Sequence, residues 1–176
     1  NGNEAVNYVT IQSAGTLTLQ QSVDTPDTSL VAVGETGAVK EDVVFLKVDF
    51  TAAREDIDVK SISIKRYLSG DRDFQDISLW DGTTQLASDQ ALVNYGLDQS
   101  STTFNFPAGS YWRIPAGETK TLTVKADLYG VDSADESGTR TGDAPKLCLA
   151  SSTEAIGVSS GTTISANTAE ICGNYM

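Results

Sequence analysis

The stretch from 119 to 128 constrains this chain more than any other. Leu122, Val124, Ala126 and Leu128 fall on one side of it, and Thr121, Thr123, Lys125 and Asp127 on the other. Successive side chains of an extended chain point to opposite faces, so this is the pattern of an antiparallel strand with one face on a core. Just before it, Pro115, Ala116 and Gly117 make a turn: proline presets one dihedral and glycine accepts the unusual one. The same period returns at 43–51, where Val44, Leu46, Val48 and Phe50 are expected inward, and Val43, Phe45 and Lys47 outward. At 57–67 the phase slips between Val59 and Ile62, which predicts a β-bulge. These two segments are the expected partners of 119–128 in one core. Ile77, Ser78, Leu79 and Trp80 run into Asp81-Gly82, a hairpin dipeptide, and 85–87 return. Shorter strands are expected at 15–23, 29–33, 102–106, 146–151, 156–158, 162–164 and 169–172. No segment carries a helical period. The prediction is an all-β, antiparallel β-sandwich with long loops and little or no helix, one domain over 1–176.

Charge narrows the partners. The net charge is −12, and the chain has no histidine. Nucleic-acid binding rests on neutralising phosphates with cations, so no nucleic-acid partner is expected, and an anionic membrane is disfavoured alike. Without histidine the chain lacks the commonest general base and metal ligand. No apolar run is long enough to span a bilayer, so no membrane insertion is expected. Asn1 follows no apolar leader, which reads as a mature or excised terminus. Cys148 and Cys172 sit in strand-like contexts; one disulfide is the simplest reading, two thiols in a reducing compartment the alternative.

The succession VVFLKVDFTAAREDIDVKSISI, DISLWDGTTQL and IPAGETKTLTVKADL, spread over 43–128, resembles Ig-like β-sandwich domains of large bacterial and archaeal cell-surface proteins. In those domains a buried strand precedes an acidic turn, a bulged strand, a hairpin and a strand led by Pro-Ala-Gly. Leu79, Trp80, Asp81 and Gly82 stand in the hairpin position. The resemblance implies an extracellular location and a role in architecture or adhesion; it carries over no catalytic residue.

Candidate chemistry is sparse. Gly157-Val-Ser159-Ser-Gly161 matches a nucleophile elbow formally, but that motif needs a helix and a histidine base, so it reads as a turn. Two acidic clusters are candidate calcium ligands, Asp71, Asp73 and Asp76 in one and Asp132, Asp135 and Glu136 in the other, because calcium takes carboxylates from irregular backbone. A solvated acidic loop is the plainer reading of both. Trp80, Trp112, Tyr111 and Tyr67 are candidates for stacking on a glycan, with core packing as the alternative. The residues and the resemblance together point to a non-enzymatic, secreted structural subunit of a filament, surface layer or adhesin, self-associating or joined to neighbouring domains. Within it, 1–23 are a candidate exchanged segment, with Val6, Tyr8, Val9 and Ile11 pairing into a neighbouring subunit, as in donor-strand assembly; first strands of the chain's own domain are the alternative. A carbohydrate-binding β-sandwich module is the alternative.

Overall fold

A computed structural model describes residues 14–35, 38–67, 73–90, 100–131, 144–151, 153–166 and 169–176, with the side chains of 88–90 excepted. The described residues are strands, turns and coil, arranged as two antiparallel sheets around a shared core. The all-β sandwich is therefore observed.

The first sheet has the order β1 (Thr16–Gln21), β2 (Val39–Ala53), β8 (Thr119–Tyr129), β4 (Phe74–Asp81) and β5 (Thr84–Gln90). Its centre is the alternating strand: β8 buries Leu122, Val124, Ala126 and Leu128 and leaves Thr121, Thr123 and Lys125 half-exposed. β8 lies between β2 and β4, so only one of its two expected partners is correct. The segment 57–67 is in the opposite sheet and meets β8 only through the core.

In β2 the expected phase is corrected. Val43 pairs with Ala126 on the core side, Val44 with Lys125 on the outer side, and the next pair is Leu46 with Val124. Phe45 is the extra residue of a bulge and is fully buried beside Leu46. A second irregularity precedes it, where Asp42 adopts a left-handed φ of 59° and its N–H donates to Asp127 Oδ1 at 2.8 Å. The bulge reverses the facing of Val44 and Phe45.

The second sheet is built on β3 (Ile57–Tyr67). Along one edge run β7 (Trp112–Ile114), at residues 57–59, and β6 (Ser101–Asn105), at 61–65. Along the other run β10 (Thr153–Gly157) and β9 (Lys146–Leu149), with β11 (Thr163–Ala166) outside β10 and β12 (Ile171–Cys172) outside β9. Three of its four strand lines are thus broken in two at about the same height. The continuous line, β3, carries its irregularity at that height: Ala155 pairs with Val59 and Glu154 with Ser61, leaving Lys60 extra. The predicted bulge is observed, and it marks where both neighbours of β3 change over.

The predicted strand at 29–33 is coil. Val31 and Val33 lean on the core while Leu30 is wholly exposed, so the apolar residues there cover the sandwich without joining a ladder. The N-terminal piece at 15–23 is β1 of the chain's own first sheet, in unbroken register with β2 from Thr16–Ala53 to Gln21–Val48. Val6, Tyr8, Val9 and Ile11 lie outside the described residues.

Candidate functional site

Three places in the described structure bring several polar side chains together, and each begins in a turn or a strand end. The first is the β2–β3 turn. Arg54 takes a left-handed φ of 75°, which turns the chain sharply and leaves Glu55 buried. Its Oε1 accepts from Gly15 N at 2.6 Å and Ser160 Oγ at 2.7 Å. Its Oε2 accepts from Ser159 N and Ser160 N, each at 2.8 Å. The formal nucleophile-elbow sequence is thus the turn between β10 and β11, and its backbone N–H groups grip a carboxylate. Hydrogen bonds from the Ser160 hydroxyl and backbone, with those from Gly15 and Ser159, outweigh burial and lower the Glu55 pKa to about 2. Gly157 is required here: a Cβ on it would fall 2.3 Å from Glu55 Oε1. Next door, Asp56 Oδ1 accepts from Ala116 N at 2.9 Å, and Gly117 N donates to Ala52 O at 2.9 Å. The Pro-Ala-Gly turn is therefore docked on the same acidic turn.

The second place is the Asp81-Gly82 hairpin, where Gly82 has a φ of 59°. Asp81 Oδ2 accepts from Trp112 Nε1 and from Lys120 Nζ, each at 3.0 Å. Trp112 belongs to the second sheet and Asp81 to the first, so the hairpin carboxylate fastens one sheet to the other. The Trp112 ring is buried and meets Phe50 edge-on at 4.9 Å.

The third place is the edge where β9 meets β12. Cys148 and Cys172 are directly opposed in the ladder and joined as a disulfide, with Cα atoms 4.0 Å apart. Beside them Glu170 accepts from Lys65 Nζ at 3.1 Å and from the Tyr67 hydroxyl. The Tyr67 hydrogen bond, ahead of Lys65, lowers the Glu170 pKa. Lys146 Nζ lies 5.4 Å from the centre of the Tyr67 ring and 4.7 Å from that of Tyr175.

Of the predicted site residues, the cysteine pair lies at the third place and the described acidic candidates at none of the three. Asp73 is fully buried, whereas Asp76 pairs in register with Asp127 and is half-buried; Asp71, Asp132, Asp135 and Glu136 lie outside the described residues. Among the described residues, the group of three potential metal ligands that converges is Cys148, Glu170 and Cys172. Its two sulfurs are bonded to each other, so no pair of thiolates is present to ligate. Of the aromatic candidates, Trp112 is core, Tyr111 packs against the core, Tyr67 is bound to Glu170, and Trp80 lies under the Lys125 ammonium at 4.0 Å. Sequence reasoning missed Glu55 altogether. Its partners are 40, 104 and 105 positions away, and nothing in Arg54-Glu55-Asp56 distinguishes it from a solvated turn.

Among the described residues, no helix is long and apolar enough to cross a membrane. No protein-family model and no curated protein matches the chain. Among solved structures the chain is similar to one described as "AvmM Catalyzes Macrocyclization in Alchivemycin A Biosynthesis", at a TM-score of 0.34 and 10% identity, covering 93% of this chain and 85% of that one. At that similarity neither a family nor an activity transfers.

Proposed function

We propose that this is a non-enzymatic structural module of an extracellular assembly, a subunit or domain of a surface filament, surface layer or adhesin. The observation that carries the reading is how its polar and aromatic side chains are used. Glu55, Asp81 and Trp112, which resemble site residues by type, are each spent on fastening one strand or sheet to another. The cross-strand disulfide supports an oxidising location, because such bonds persist outside the reducing cytosol. The resemblance over 43–128 to surface sandwich domains agrees with this use.

Assembly by a donated N-terminal strand is the specific form of the proposal. Residues 6–11 would add to the sheet edge of a neighbouring copy, main-chain hydrogen bonds supplying affinity and alternate side chains register. The test is sedimentation and negative-stain electron microscopy of the full chain beside a form lacking residues 1–12. The expected result is polymer from the first and folded monomer from the second. Equal polymerisation of both would refute strand donation, and monomer from both at high concentration would refute self-assembly.

A further inference from the structure

The last residues of the chain form a strap across one flank of the sandwich. From β12 onward, Gly173 N donates to Leu147 O at 3.0 Å and Met176 N to Pro145 O at 3.1 Å, both on the side of the second sheet. The same few residues reach the first sheet: Gln21 Nε2 donates to Cys172 O at 3.0 Å, and Asn174 Nδ2 to Pro26 O at 2.9 Å. Gly173 lies flat on β2, where a Cβ would fall 2.1 Å from Phe45 O, and Met176 packs against the core. β1 pairs β2 only as far as Val48, so the strap covers the stretch of β2 around Phe45 that β1 leaves unpaired. Its ladder is only two residue pairs long, and the disulfide lies within it.

We propose that the Cys148–Cys172 bond is a redox-operated fastener for this strap, and that Glu170 guards it against exchange. A thiolate of a dithiol reductant attacks Sγ of Cys172, the partly exposed partner, since Cys148 is wholly buried. The S–S bond breaks, and Cys148 leaves as a thiolate that takes a proton from water. The second thiol of the reductant then loses its proton and displaces Cys172, which is also protonated. The protein disulfide gains two electrons and the dithiol is oxidised to its own disulfide. With the cross-link gone, two ladder pairs and a few hydrogen bonds hold the strap, and it lifts from β2 and β9. Glu170 places a carboxylate oxygen within 4.8 Å of both sulfurs, and the part of its charge that Lys65, 3.1 Å away, leaves uncompensated opposes an arriving thiolate and a departing one alike.

The test uses the full chain and dithiothreitol, with hydrogen exchange read peptide by peptide and thiol release timed. The expected result is that complete reduction deprotects 169–176 and 146–149, while 119–128 in the first sheet stays protected. The Cys148→Ala/Cys172→Ala double variant should show the same pattern without reductant. Unchanged protection of 169–176 after full reduction overturns the fastener, and so does loss of protection throughout the chain. Glu170→Gln should be reduced at least ~3-fold faster than the parent at low salt, the gain shrinking as salt screens the charge. A rate equal to or slower than the parent's overturns the guard.

Discussion

The two halves of the second sheet's outer line are closed in different ways. At one end the β10–β11 turn is held by a single carboxylate, Glu55, through four neutral donors. At the other end β12 is held to β9 by a covalent bond with a charged group beside it. Both fastenings tie late strands to the body of the sandwich, yet they respond to different conditions. A carboxylate bound by N–H and O–H groups is strong only while ionised, so its half depends on pH. A disulfide ignores moderate acid and depends on redox poise. A chain can thus keep one sheet closed against two separate stresses with local devices that share no residue.

The largest effect should come from breaking the carboxylate half sterically. Gly157→Val drives side-chain atoms into the space of Glu55 Oε1 and should cost about 3–4 kcal/mol, read as a lower urea midpoint. The covalent half comes next: Cys148→Ala/Cys172→Ala opens a loop of 24 positions and should cost about 3 kcal/mol by the chain-entropy argument. A control away from both halves is Asp81→Ala, which leaves the buried Trp112 indole N–H without its acceptor. It should cost about 1–2 kcal/mol and leave the strap's protection unchanged.

Acid sharpens the comparison further. The Glu55 pKa is lowered from 4.5 to about 2 on folding, so the folded state favours the ionised form. Its contribution is full above pH 4.5 and is lost progressively as pH falls towards 2. Urea titrations across that window should show the parent losing stability more steeply than Glu55→Gln, while removal of the disulfide leaves the slope unchanged. Parallel slopes in the parent and Glu55→Gln would mean that the carboxylate is not the acid-sensitive fastening.

What could be read in advance follows the strength of local pattern. The Lys60 bulge was legible because two polar residues, Lys60 and Ser61, interrupt a regular apolar phase. The Pro-Ala-Gly turn was legible because Gly117 carries a φ of 80°, which its chemistry announces. The facing of β2 was not, because Val43, Val44, Phe45 and Leu46 are all apolar and either phase buries two of them. What decides it is the bulge at Phe45, which shows only in the pairing of Val44 with Lys125 and of Leu46 with Val124, about 80 positions away. Likewise β7 hid in Trp112-Arg-Ile114, three residues too short to show alternation, whose strand character comes from lying beside β3. The cysteine pairing was legible from strand context and composition, but the strap behind it depends on Phe45, Pro26 and Leu147, residues from three other parts of the chain.

The common height of the breaks in the second sheet has a use for anyone rebuilding this protein. Between β6 and β7, β9 and β10, and β11 and β12 the ladder is already interrupted, so these are natural splice points lying in one row. Lengthening the chain there leaves the described strand pairs in place, and the entropy of closing a longer loop grows only slowly with length. Peptides grafted at two of these joints would start from separate strand lines of the same sheet. The scaffold thereby offers a way to present paired epitopes at a spacing fixed by strand separation, about 5 Å per strand.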